Sequence, residues 1–261
     1  MARHPRLIHP GVAVHVVQRG NNRNACFAAD SDYLTYLALL RHLARKYTCA
    51  VHAYCLMTNH VHLLLTPTEP QTCGFLMRDL GRSYVRYFNR RHDRSGTLWE
   101  GRFRSCLVES AQYVLACYRY IEQNPVRAAM VAEPGAYLWS SHAANSGLRW
   151  DPLITPHSEY LALSDRESAR CAEYRRLLGL ALDLTLLELI REATSGGYPL
   201  VSDAYKTRLA GCRIERGKPG PRVEAPAACY KNYDPDPELR LMKSLTTGKT
   251  VSRQRRPEKM P

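Results

Sequence analysis

The sequence predicts an α+β fold, an antiparallel sheet with helices packed on one face, followed by a helical C-terminal extension. Three observations lead there. Short β-branched stretches alternate with long amphipathic ones. Two of the short stretches are separated by only two turn residues. And with 45% hydrophobic residues in 261, the chain can bury a substantial core.

The elements follow in order. "VAVHVVQ", residues 12 to 18, alternates and is β-branched, so it reads as a first strand, and "RGNNRN" follows as a basic turn. "DSDYLTYLALLRHLARKY", from Asp30 to Tyr47, has a helical period, with acids at its start and bases at its end as the helix dipole favours. "AVHAYCLM" (50 to 57) and "HVHLLLT" (60 to 66) are two strands joined by a tight Thr58-Asn59 turn. A second long helix spans roughly Gln71 to Arg91, and "RFRSCLVE" (102 to 109) is a fourth strand. A third helix runs from about Ser110, its expected N-cap, to Gln123. Strand, helix, strand, strand, helix, strand is the split β-α-β order of a ferredoxin-like sandwich.

Beyond "YLWSSHAANSG" the character changes. Residues 165 to 212 are helical, with an expected capping box at Thr185-x-x-Glu188, a Gly-Gly break, and a new start at Ser202. That pattern fits a helix-turn-helix or a plain helical hairpin. From about Gly217 the chain is rich in Pro, Lys and Arg, as disordered tails are. The expected division is an α+β domain over 1–150, a helical extension over 151–216 and a basic tail over 217–261.

Charge narrows the function. Thirty-seven Lys and Arg against 24 Asp and Glu give a net +13 and a pI near 9.5, which favours nucleic acid or an anionic surface. No apolar run approaches the ~18 residues of a spanning helix, and the N-terminus lacks the apolar core of a signal peptide. No two of the nine cysteines form a C-x-x-C pair; Cys49, Cys55, Cys106 and Cys117 read as core residues in a reducing cytosol. A cytoplasmic, nucleoid-associated protein is expected.

The stretch "CLMTNHVHLLL" places His60 and His62 two apart in a strand, hence on one face. The spacing alone fits two half-buried imidazoles hydrogen-bonded into a sheet equally well. Two imidazoles are too few for a catalytic divalent ion, so a third ligand is required. In "AQYVLACYRYIEQNPVRAAMV", Tyr113, Cys117, Tyr120 and Asn124 share one helix face, with Arg119 and Glu122 facing away. A hydroxyl and an amide stacked four residues apart could meet the histidine pair. By themselves, three tyrosines in one helix read as packing on the sheet.

Together, "CLMTNHVHLLL" and "YRYIEQNPVRAAMV" resemble the REP-associated tyrosine transposases, relatives of the IS200/IS605 (Y1) transposases within the His-hydrophobic-His (HUH) nucleases. The resemblance extends through "VAVHVVQRGNNR", "FNRRHDRSGTLWEGRF" and "YLWSSH", about residues 8 to 145, and "LIREAT" is similar to a C-terminal extension of part of that family. It implies that His60, His62 and Asn124 bind Mg²⁺ or Mn²⁺ and that Tyr120 is the nucleophile. Asn124 stands where the insertion-sequence relatives carry glutamine. It further implies a metal-dependent single-stranded DNA endonuclease and strand transferase. A 5′-phosphotyrosine intermediate on hairpin, REP-palindrome-like DNA would serve transposition, in a monomer or a homodimer. A catalytically inactive hairpin-DNA-binding protein of the same fold and a replication-initiator-type nuclease are the rival readings.

Three segments are the expected DNA contacts. Arg78, Arg82, Arg86 and Arg90 recur every four residues without acids at i±4, a stripe that can track phosphates. Arg91, Arg94, Arg102 and Arg104 follow beside Trp99 and Phe103, arginine with aromatics for stacking. Gln18, Arg19, Asn21, Asn22 and Arg23 form a loop able to read base edges.

Overall fold

The structure, a computed structural model, describes residues 6–211. Four strands, β1 (Ala13–Arg19), β2 (Cys49–Met57), β3 (His60–Pro67) and β4 (Arg104–Val108), form one antiparallel sheet in the order β2-β3-β1-β4. Helices α1 (Asp30–Lys46) and α2 (Thr72–Arg91) connect them, giving the ferredoxin-like order the sequence predicts. There follow α3 (Ala111–Glu122), α4 (Asn124–Arg127), α5 (His142–Asn145), α6 (Ser158–Leu161), α7 (Glu167–Gly179), α8 (Leu184–Gly196) and α9 (Asp203–Gly211). The expected basic tail, 217–261, lies outside the described residues. Among the described residues, no helix is long and apolar enough to cross a membrane.

Strand alternation divides the sheet into two unlike faces. Val14, Val16, Val61, Leu63 and Leu65 are buried toward α1 and α2, where Leu40, Leu76 and Leu80 meet them. Truncating a leucine such as Leu63 there should cost about 2–5 kcal/mol, the usual price of a core cavity. Asp32 ties the two helices together. Its carboxylate accepts from the Ala28 and Ala29 amides at the start of α1 and from His92 and the Tyr87 hydroxyl at the end of α2.

The second face carries His15, Val17 and Arg19 of β1, His60 and His62 of β3, and Arg104 and Cys106 of β4. Cross-strand register pairs Val17 with His62 and with Arg104, and Arg19 with His60. This face is not left open. Helix α3 packs over β2 and β3, while α8 packs over β4 and β1. The apolar stripe of α8 (Leu187, Ile190, Ala193) is spent on that contact, so this helix packs on the sheet instead of standing apart as half of a helix-turn-helix.

Two local expectations change. The N-cap of α8 is Asp183, whose Oδ1 accepts from the Thr185 amide at 2.6 Å, so the helix starts before the expected Thr185–Glu188 box. Ser110 does precede α3, but at φ 86° it makes no side-chain cap. The Gly-Gly break is where it was expected, with Gly197 left-handed at φ 78°, and Ser202 Oγ accepts from the Tyr205 amide as α9 begins. The seven cysteines named among the described residues, including Cys49, Cys55, Cys106 and Cys117, are buried free thiols.

Candidate active site

The two imidazoles of β3 lie with ring centroids 4.9 Å apart at the edge of a cavity of about 390 Å³. Tyr120 enters the same cavity from α3, its ring 5.7 Å from that of His62. Asn124 completes that side. Gln123 ends α3 with non-helical ψ near 0°, and Asn124 opens the short α4 with Pro125 at its first turn, a position proline tolerates. This break turns the Asn124 amide into the lining, where its Nδ2 is buried without a hydrogen-bond partner. The predicted ligand and nucleophile positions therefore meet in one place.

Each histidine is oriented by its Nδ1. That of His60 lies 2.6 Å from Asn59 Oδ1, and Asn59 in turn donates from Nδ2 to the Arg23 carbonyl at 3.1 Å. That of His62 lies 3.0 Å from Nε2 of His15, whose own Nδ1 lies 2.8 Å from the Thr194 hydroxyl. Burial, assisted by Arg19, lowers His60 from 6.5 to about 4, and burial, assisted by Arg127, lowers His15 to about 3. His62 is held well below its ordinary value by burial and then by the neighbouring His15 and His60. All three imidazoles are thus neutral near pH 7, the state in which a ring nitrogen can ligate.

Arginines rim the cavity. Arg19, Arg102 and Arg104, three of the candidate DNA contacts, line it with Arg191 from α8, whereas Glu100 is the only acidic residue in the lining among the described residues. Four guanidiniums around one opening suit a phosphate. Behind Tyr120 stands Arg127, its guanidinium carbon 4.3 Å from the ring centre and its Nη2 2.5 Å from the Tyr120 carbonyl. Nε and Nη1 of Arg127 are buried without partners, and burial pulls the guanidinium below its ordinary value.

No three His, Cys, Asp or Glu side chains converge as a metal site among the described residues. The donors that could hold a divalent ion here are two neutral imidazoles and the Asn124 amide oxygen. Imidazole and carbonyl-type oxygen suit Mn²⁺, and with open positions left for water or phosphate they also suit Mg²⁺. The residues fit such an ion.

Residues 9–124 match the model of the family described as Transposase IS200 like. The chain carries an IS200-like transposase domain. The matched stretch is somewhat under half of the chain. The match includes the cavity residues from β1, β3 and α3 and ends at Asn124, short of α8. Two solved structures are similar in shape. One is a REP-associated tyrosine transposase bound to a REP hairpin, with 17% identity and a TM-score of 0.47 over 61% of this chain and 96% of that one. The other is a protein provisionally described as a transposase from Deinococcus radiodurans R1, with 20% identity and a TM-score of 0.33 over 44% and 92%. No curated protein matches the chain.

Other expected residues lie elsewhere. Gln18 is on the opposite sheet face and 7% exposed, because the strand's alternation turns it toward α2. There it borders a second groove with Arg78, Arg82, Arg86 and Arg102. Arg78 is not an unpaired member of the stripe: its Nε donates to Asp79 Oδ1 at 2.8 Å. Arg90 and Arg91 are exposed at the end of α2, and the Arg94 guanidinium covers the Phe88 ring at 5.4 Å. Asn22 and Arg23 are exposed in the loop after β1, with Asn21 half-buried.

Trp99 and Phe103 are not free stacking platforms. Trp99 is 7% exposed against Tyr36 and Tyr84, and Phe103 is covered by the Arg6 guanidinium at 3.7 Å. Tyr120, too, is only 7% exposed, a cavity wall instead of an open helix face. Glu122 faces away from the cavity but is fully buried, accepting from Ser141, Asn145 and Tyr174. Sequence reasoning missed His15, Arg127, Arg191 and Thr194. Only His15 carried a signal, since it sits two residues before Val17 on the face that register brings against His62.

Proposed function

We propose that this protein is a transposase that cleaves and rejoins single-stranded DNA beside a hairpin, with Tyr120 as nucleophile. The observation that carries the reading is the convergence of His60, His62, Tyr120 and Asn124 on one arginine-rimmed cavity. The hairpin preference rests on the sequence resemblance.

The scissile phosphate enters between Arg19, Arg102, Arg104 and Arg191, which neutralise its oxygens and exclude water from the attack line. The Tyr120 oxygen bonds to phosphorus as its proton leaves, and the bond from phosphorus to the 3′ oxygen breaks. The products are a 5′-phosphotyrosine and a strand ending in a 3′-hydroxyl. Arg127, stacked on the Tyr120 ring, stabilises the negative charge the phenol oxygen carries on the way in and again on the way out. Mg²⁺ or Mn²⁺ held by His60, His62 and Asn124 would supply Lewis-acid polarisation of the phosphate. Attack of another 3′-hydroxyl on the phosphotyrosine restores Tyr120 and joins the strands. The covalent bond conserves the energy of the broken one, so no ATP is needed.

The test is incubation of the full chain with single-stranded DNA carrying a palindrome, with Mg²⁺ or Mn²⁺ and with excess EDTA. A covalent protein–DNA adduct formed with either ion and lost in EDTA supports the reading. An adduct of undiminished yield in EDTA removes the metal from it, and no adduct under any condition leaves the hairpin-binding alternative.

A further inference from the structure

We propose that His15 and Thr194 are positioning residues that fix the tautomer of His62, so that its Nε2 lone pair faces the cavity. The inference rests on the reading of His62 as a metal ligand.

Three hydrogen bonds in series carry it. The Thr194 hydroxyl lies 2.8 Å from the carbonyl of Ile190, one turn earlier on α8. A carbonyl only accepts, so the single hydroxyl proton points there. Thr194 Oγ1 then offers lone pairs to Nδ1 of His15 at 2.8 Å, and that nitrogen must hold a proton. In a neutral ring Nε2 of His15 is consequently bare, and it accepts from Nδ1 of His62 at 3.0 Å. His62 is left with one unprotonated nitrogen, Nε2. Both histidines of the series are buried, at 1% and 5% exposure, so water does not compete for these bonds.

The neighbouring ligand is set by a separate device with the same outcome. Asn59 donates from Nδ2 to the Arg23 carbonyl, which turns its Oδ1 to His60 and holds the proton on His60 Nδ1. Two different supports thus present two Nε2 lone pairs. A ligating histidine characteristically donates its other nitrogen in this way, and loss of the outer partner typically costs 10–100-fold in metal affinity or activity.

The series begins on α8, beyond the stretch that matches the family, and links residues 179 apart in sequence. Helix α8 is therefore part of the site's machinery. A swap at its far end propagates: without an acceptor at Thr194, His15 gains by moving its proton to Nε2. His62 must then accept at Nδ1 and carry its own proton on Nε2, which blocks the ligating nitrogen.

The experiment compares Thr194→Val, which keeps the shape, with Thr194→Ser, which keeps the hydroxyl. The readouts are the His62 tautomer by long-range ¹H–¹⁵N NMR and the Kd for Mn²⁺ by EPR. The wild type should show His62 with its proton on Nδ1. Thr194→Val should shift it toward Nε2–H and weaken Mn²⁺ roughly tenfold or more, with Thr194→Ser close to wild type. If Thr194→Val fails to fold, His15→Gln, which keeps an oxygen acceptor near the Nε2 position, is compared with His15→Leu. Gln should retain Mn²⁺ binding and Leu should lose it. Equal tautomer populations and Mn²⁺ affinities within either pair overturn the proposal. A separate arm, His62→Ala against wild type, tests the metal reading alone: Mn²⁺ affinity indifferent to His62→Ala would remove that reading and the role of the series with it, whatever the tautomer.

Discussion

The guanidinium carbon of Arg127 lies over the Tyr120 ring, 4.3 Å from its centre, and Arg127 Nη2 donates to the Tyr120 carbonyl. One residue thus both holds the backbone of the proposed nucleophile and sets a buried positive charge beside its ring. The break between α3 and α4 makes this geometry possible by folding Arg127 back over the preceding turn.

Replacing Arg127 with Gln should slow adduct formation about 10²–10³-fold, the usual effect of losing one group that stabilises developing charge. DNA affinity should change little, since Arg127 is no part of the cavity rim. Single-turnover cleavage and a binding titration separate the two. A proportional loss of affinity and rate would assign Arg127 to DNA binding instead.

The arginines of α2 should act through counterion release. Arg78 is paired with Asp79, so the test uses Arg82 and Arg86, both exposed along the second groove. Each phosphate contact on single strands contributes about −0.7 to the slope of log K against log salt, so the double Gln variant should flatten it by roughly 1.4. Asn22, exposed in the loop after β1, should on replacement alter sequence preference and leave the slope alone. An unchanged slope in the double variant would put the DNA path elsewhere.

Glu122→Ala should destabilise the fold by about 3 kcal/mol or more, because it strands buried donors from Ser141, Asn145 and Tyr174. Urea unfolding measures it. A loss under about 1 kcal/mol would mean that those donors find other partners.

Acid should loosen the fold through buried neutral histidines. His52 donates from Nδ1 to the Thr155 carbonyl at 2.6 Å, and its Nε2 accepts from Thr66, 2.7 Å away. Burial lowers it from 6.5 to about 4. Between those values the unfolded chain takes up a proton that the folded one refuses, so stability is full above pH ~6.5 and falls as the pH drops toward ~4. His15 adds to the same trend down to about 3. Urea midpoints at about pH 7.5 and about pH 4.5 should differ less in His52→Gln than in wild type. An equal drop in both would clear His52 of the effect.

Much of the fold was legible because local signals agreed. The β-branched alternation of "VAVHVVQ", the two-residue Thr58-Asn59 turn and the acid-to-base polarity of the first helix each point to the element observed. That His60, His62, Tyr120 and Asn124 line one cavity agrees with the motif resemblance, and strand alternation already put the two histidines on one face. What failed was burial on a second side. Periodicity marked Glu122 as facing away from the cavity, yet α5 and α7 cover that side too. The arginine-and-aromatic composition of the following loop offered Trp99 as a stacking platform, yet the loop folds it onto Tyr36 and Tyr84. Thr194 was beyond reach, since nothing local ties a threonine on α8 to an imidazole on β1.

The central claim is that Tyr120 becomes covalently joined to DNA in the cavity that holds His60 and His62. Mapping the adduct by mass spectrometry after incubation with palindromic single-stranded DNA and Mn²⁺ tests it most directly. The account predicts a phosphodiester on Tyr120 to the 5′ end of the cleaved strand. Tyr120→Phe should abolish the adduct with affinity within about twofold, since only one hydroxyl is lost. Tyr113→Phe should form it normally, and Tyr118→Phe should retain it although its hydroxyl also accepts from the His157 amide. An adduct that persists in Tyr120→Phe and disappears in Tyr113→Phe or Tyr118→Phe would contradict the account.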